Sequence, residues 1–174
     1  MDAIGAVVVR AGHRADVDLR PDGVTVRLFS GDLEGLSTRD VEVAAAISAE
    51  AARLGAPADP RGVQHVQIAI DAMDIAAVRP FWRTVLGYPE VGDADVMDAQ
   101  RRGPTVWFQQ MHEPRPGRNR FHVDVYLAPD EVQGRIAAAL AAGGRVVSDQ
   151  NAPEWWTLAD PEGNEVDLAI WMSE

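Results

Sequence analysis

The phrase VQHVQIAI, residues 63–70, returns in altered form as RFHVDVY, residues 120–126, and the pattern that follows each copy returns with it. The first copy leads into helix-like spacing over 74–86, weak strand signals around 88–100 and the strand TVWFQQM. After the loop HEPRPGRN the second copy leads into a helix over 129–142, the strands RVVSD and WWTLA, a DPEGN turn and the strand EVDLAIW. The histidines of the two phrases, His65 and His122, stand 57 residues apart (122 − 65). A chain that writes the order βαβββ twice is expected to fold as α+β, with two like modules paired by internal duplication.

What precedes the duplication reads differently. GAPADPRG, residues 55–62, ends an Ala-rich helical pattern with Gly and two Pro, a helix stop and linker. We therefore divide the chain into residues 1–58 and 59–174. In the first segment MDAIGAVVVRAG has helical apolar spacing, ADVDL and GVTVRLF read as strands across a Pro-Asp-Gly turn, and Ser37 or Thr38 can cap the next helix. This αββα unit can bury little by itself, so it is expected to pack on the rest of the chain or on a partner.

Strand parity sorts the side chains before any neighbour is known. Val66, Ile68 and Ile70 share one face, opposite His65, Gln67 and Ala69. Phe121, Val123, Val125 and Leu127 oppose His122, Asp124 and Tyr126. Val166, Leu168 and Ile170 oppose Glu165, Asp167, Ala169 and Trp171, and Val106 with Phe108 opposes Thr105, Trp107 and Gln109. A merely solvated second face would carry Thr, Lys and Glu; this one carries His, Gln, Asp, Tyr and Trp, which suits a pocket. Two imidazoles and a carboxylate also make a ligand set that leaves positions open on a divalent metal, and a Gln oxygen can add a fourth.

Composition removes several classes of function. The formal net charge of −11 opposes phosphate backbones and anionic membrane surfaces alike. No apolar run is long enough to cross a bilayer. Neither nucleic acid nor membrane is therefore expected as a partner. All 16 basic residues are Arg, which excludes Schiff-base chemistry through lysine. With no Cys there is no thiolate nucleophile or ligand, and the N-terminus lacks a secretory pattern, so a cytoplasmic location is expected.

The stretches HVQIAIDAMDIAAVRPFWRTVLGY, TVWFQQ, NRFHVDVY and LADPEGNEVDL together resemble the vicinal oxygen chelate superfamily, and in particular its glyoxalase and bleomycin-resistance-like branch. The resemblance covers about residues 62–172. It implies a cupped mixed sheet built from the paired modules. Matched by position, it also implies the metal ligands His65, Gln109, His122 and Asp167, with Zn, Mn, Ni or Fe as the ion. Where metal-dependent members usually carry Glu, this chain has Asp167, one methylene shorter. Relatives with the same signature include proteins without a complete ligand set, so two readings stand side by side. One is a metal-dependent lyase, isomerase or ring-opening enzyme, with Glu165 as general base. The other is a metal-free protein that binds or sequesters a small molecule. In both, Gln67, Asp124, Trp107, Tyr126 and Trp171 line the cup, the aromatics offering a wall to a planar ligand or serving an interface. Arg115, Arg118 and Arg120 can steer an anion or be merely solvated, and His112 lies on a loop. A homodimer is the expected assembly.

The N-terminal segment resembles the second half of a pterin-4a-carbinolamine dehydratase domain, through GHRADVDL and EGLSTRD. One histidine of that family's pair is kept as His13, while Arg14 and Ala15 stand where the second His and Pro would be. The resemblance implies pterin carbinolamine dehydration as a third functional reading, or a remnant that serves packing or dimerisation.

Overall fold

A computed structural model describes residues 2–28, 36–59, 66–93, 95–114, 117 and 121–170. The chain forms two compact units, Met1–Gln64 and His65–Glu174.

The first unit has the expected order: α1 (Asp2–Ala11), β1 (Ala15–Arg20), β2 (Gly23–Leu28) and α2 (Thr38–Arg53). β1 and β2 pair antiparallel, with Val17 opposite Val26 and Leu19 opposite Val24. Of the two candidate caps of α2 it is Ser37 that serves, through a capping box. The Asp40 amide reaches Ser37 Oγ, and Asp40 Oδ2 accepts from the Ser37 backbone N at 2.6 Å. Among its described residues the buried apolar side chains are Ile4, Val7 and Val43, all on the helices.

The second unit is the duplication. Its first module runs β3 (Gln67–Ala72), α3 (Ile75–Leu86), β4 (Glu90–Val91), β5 (Asp95–Val96) and β6 (Thr105–Gln110). Its second runs β7 (Val123–Leu127), α4 (Val132–Ala141), β8 (Arg145–Ser148), β9 (Trp155–Ala159) and β10 (Glu165–Ile170). The sheet orders are β3-β6-β5-β4 and β7-β10-β9-β8, so each module pairs its first strand in parallel with its last. Repetition of the sequence is thus repetition of topology. Several boundaries differ from expectation by a residue or more: β3 starts after Val66, β7 starts one residue after His122, and α4 begins at Val132 because residues 129–131 are turn.

One apolar core serves both modules. Val78, Phe81 and Val85 of α3 meet Val132, Ile136 and Ala139 of α4, with Val106, Phe108, Leu158 and Leu168 from the sheets. Asp74 caps α3 by accepting from the Ala77 amide, and Gly87 ends it at φ 67°, a left-handed conformation that suits glycine. The modules are also tied by polar bonds. The Glu162 carboxylate accepts from the amides of Met73 and Asp74 at 2.8 and 2.7 Å, and Arg135 donates to the Val85 carbonyl at 2.9 Å.

Gly144 stands where α4 returns to the sheet, and a Cβ there would lie 2.3 Å from the Phe81 ring and 3.0 Å from the Ala139 carbonyl oxygen. Phe81 is fully enclosed and has nowhere to retreat. Gly144→Ala is therefore expected to destabilise the unit by about 2 kcal/mol, the usual penalty for overpacking a filled core. Thermal unfolding followed by circular dichroism checks this, and a midpoint equal to wild type would show that the ring yields.

Candidate functional site

The parallel rung between β7 and β10 sets Asp124 beside Asp167. Parity turns both away from the core that holds Val123, Val125, Val166 and Leu168. His122, just ahead of β7, completes a trio: its Nε2 lies 3.3 Å from Asp124 Oδ1 and 3.5 Å from Asp167 Oδ2. All three ligand atoms fall within 4.8 Å of one another. Asp167 is the most enclosed, with its side chain 18% exposed against 46% for His122 and 49% for Asp124. Its Oδ1 is sealed from solvent and meets no hydrogen-bond partner among the described residues. A buried carboxylate oxygen without a donor is costly, and a cation removes that cost.

His122 also borders a cavity of about 630 Å³ that neither Asp124 nor Asp167 lines. Its apolar lining includes Ile68, Met73, Met111 and Phe121, and Asp71 and Glu165 add carboxylates. It takes residues from both faces of β3, Ala69 and Asp71 as well as Ile68 and Ile70, so it runs along that strand rather than over one face.

The remaining expected site residues sit on β3, β6 and β7. Gln67 is exposed and opposite Thr105; Trp107 is half-buried between Ala69 and Asp95; Gln109 is exposed opposite Asp71. Tyr126 is half-exposed opposite Ala169. Thr105, placed by parity on the open face, is buried at 6% exposure, because residues at the start of β6 are covered whichever way they point. His65, Trp171, Arg115, Arg118 and Arg120 lie outside the described residues. Trp82 is core, Trp155 and Trp156 are half-buried, and His112 is on a loop stretch, as expected of it, and exposed.

Parity treated Asp124 only as a lining residue. The rung pairing that carries it to Asp167 depends on which strands become neighbours, and no single strand records that. Met73 and Met111, one residue past the ends of β3 and β6, are brought to the cavity in the same tertiary way.

In the first unit His13 is nearly enclosed, and its Nε2 lies 2.6 Å from Asp40 Oδ1. Asp40 is itself 2% exposed and also accepts from Ser37 Oγ at 2.6 Å. The retained histidine is thereby anchored to the start of α2.

Residues 67–169 match the glyoxalase-like domain family, and residues 1–50 match the pterin 4 alpha carbinolamine dehydratase family. No curated protein matches the chain. Among solved structures, the genomically encoded fosfomycin resistance protein FosX from Listeria monocytogenes superposes with a TM-score of 0.50 at 14% identity, over 65% of this chain and 93% of that one. A glyoxalase/bleomycin resistance protein/dioxygenase family enzyme from Burkholderia phytofirmans gives 0.49 at 18% identity, over 61% and 97%. A glyoxalase-related enzyme from Fulvimarina pelagi gives 0.47 at 21% identity, over 63% and 89%.

Proposed function

Since the chain belongs to the glyoxalase-like domain family, we propose that its second unit is a divalent-metal-dependent lyase, isomerase or ring-opening enzyme acting on a small molecule. The carrying observation is the trio His122, Asp124 and Asp167, whose ligand atoms lie within 4.8 Å of one another. Two ligands about 2.1 Å from one ion at the tetrahedral angle stand about 3.4 Å apart, close to the 3.3 and 3.5 Å found from His122 Nε2. The donor set fits such an ion. One imidazole and two carboxylates suit Mn or Fe as well as Zn, and Gln109 and His65 remain candidates for further positions.

When bound, a divalent ion polarises a substrate oxygen. The chain's own residues do the rest. His122 serves through Nε2 and borders the cavity, so a substrate lying there can turn its polar end to His122 and its apolar body to Met73, Met111 and Phe121. Glu165 lines the same cavity and is read as the general base that takes a proton from a bound substrate. Gln67, Trp107, Tyr126 and Trp171 are read as lining residues on the same sheets, and the working unit is taken as a homodimer.

A metal-free binding protein is the second reading, supported by the apolar lining of the cavity. Elemental analysis of untagged protein purified without chelator separates the two. The expected result is near one divalent ion per chain, lost in His122→Ala. No metal, even after adding Zn, Mn, Ni or Fe(II), would reject the enzyme reading and leave the trio as hydrogen-bonding pocket groups.

A further inference from the structure

Two thioethers line the cavity, Met73 and Met111, and each stands one residue past the end of a strand. The last rung of the β3–β6 ladder sets Ala72 opposite Gln110, and the Met111 amide extends it by donating to the Ala72 carbonyl at 2.8 Å. The two carbonyls beyond that rung belong to Met73 and Met111. One side chain meets both: Gln110 Nε2 donates to the Met73 oxygen at 2.8 Å and to the Met111 oxygen at 3.0 Å, with the Ala72 oxygen at 3.4 Å. The Met73 amide is held from the other module, where it donates to Glu162 at 2.8 Å. Both methionines therefore have the N–H and the C=O of their main chain tied down.

What this clamp leaves loose is the side chains. Methionine is unbranched, with three rotatable bonds and a polarizable sulfur, so it refits itself to bodies of different shape. Met73 is 39% exposed and Met111 half-buried, so packing locks neither. Much of the remaining apolar lining is of the opposite kind. Ile68, Ile70 and Val123 are β-branched and stiff at χ1, and Trp82 is buried with its ring nitrogen bonded to Asp160. The cavity thus combines a lining of fixed shape with two adaptable side chains on a fixed main chain.

We propose that Met73 and Met111 are the specificity-determining residues of this cavity, letting it accept linear and ring-shaped apolar bodies alike, and that Gln110 is the positioning residue that holds both. This rests on the cavity being where the small molecule binds, and it is independent of the metal.

The test uses the full chain stripped of metal and the neutral fluorescent probe N-phenylnaphthylamine, displaced by octanol or by adamantanol. Wild type is expected to bind the probe and to release it to both alcohols; release to one alone would overturn the proposal. Leucine matches methionine in bulk and apolarity but is branched, a swap that cores tolerate. In Met73→Leu/Met111→Leu the ratio of the two alcohols' affinities should shift about tenfold, the scale on which a shaped apolar pocket discriminates. An unchanged ratio would overturn the role of the methionines. Gln110→Glu keeps the shape but offers acceptors only, and at about pH 8, where the introduced carboxyl is ionised, it should weaken the probe about tenfold. Gln110→Lys offers donors only and should keep the wild-type affinity. Equal affinity in those two variants would overturn the positioning role. If wild type bound no probe, this proposal would fall together with the cavity as a binding site, whereas metal content measured on the same protein before stripping judges the metal-dependent reading by itself.

Discussion

Asp160→Asn is expected to lower the thermal midpoint of the second unit by about 12 °C, corresponding to roughly 3 kcal/mol for a unit of this size. Asp160 is the first residue of the DPEGN turn and is completely enclosed. Four donors converge on its two carboxylate oxygens: Trp82 Nε1 at 2.9 Å and Asn164 Nδ2 at 2.7 Å on Oδ2, and the amides of Glu162 and Asn164, both at 2.9 Å, on Oδ1. Only a group with two acceptors serves all four. Asparagine keeps the shape but sets an NH2 against one pair of donors, so buried N–H groups lose their partner while nothing in the packing changes. The same turn carries Glu162, which holds the amides at the start of α3, so a slackened turn also loosens the tie between the modules. Scanning calorimetry of wild type, Asp160→Asn, Trp82→Phe and the double variant gives the coupling directly. The double variant should lose less than the sum of the two single ones. A midpoint within about 2 °C of wild type for Asp160→Asn would mean that these four bonds contribute nothing net.

That turn marks where sequence reasoning stops. DPEGN is legible as a tight turn because Pro, Gly and Asn have fixed backbone habits. That its Asp side chain anchors Trp82, 78 residues earlier in the chain, is tertiary and leaves no local trace. The same division holds elsewhere. The twice-written βαβββ order was legible because period-2 and period-3.6 patterns are local, and so were the cap at Ser37 or Thr38 and the core faces of β6 and β10. On β3 and β7 the reading held for Ile68, Ile70, Val123, Val125 and Leu127 but not for Val66 and Phe121, which precede those strands and are 58% and 65% exposed. Parity placed His122, Asp124 and Asp167 on one kind of face, but their meeting needed β7 and β10 to become neighbours in the register that opposes Asp124 to Asp167. The cavity was less legible still. It lies along β3 and draws on both of its faces, so an argument that sorts residues by face divides its lining into core and surface and misses the space between. Thr105 shows the limit of parity in the opposite direction, since it points as expected and is buried all the same.

Asp124 is where the chain's own geometry adds to what resemblance implies, and it makes the sharpest functional prediction. Titration of Mn(II) or Zn(II) into metal-depleted protein, followed by calorimetry, should show Asp167→Ala weakening binding at least a thousandfold and Asp124→Ala at least a hundredfold. The order follows burial. Asp167 offers an enclosed oxygen that lacks any other partner among the described residues, so its removal takes away the donor with least competition from water. Asp124 is half-exposed, and water can stand in for part of what it supplies. Its size of effect tells its role. A group that only orients a ligating histidine typically changes metal affinity by 10- to 100-fold, whereas a direct ligand changes it by more. A loss near tenfold in Asp124→Ala would therefore assign Asp124 to holding His122, whose Nε2 it approaches at 3.3 Å, and would move the third ligand elsewhere. Asp167→Glu refines the point. Relatives that depend on metal usually carry the longer acid at this position, and here Asp124 crowds the same rung from β7. If two short carboxylates share the ion, the extra methylene should weaken binding. If Asp167 acts alone with its oxygens drawn back, the longer side chain should strengthen it. The sign of that one change distinguishes a three-residue set peculiar to this chain from the family's set with one shortened member.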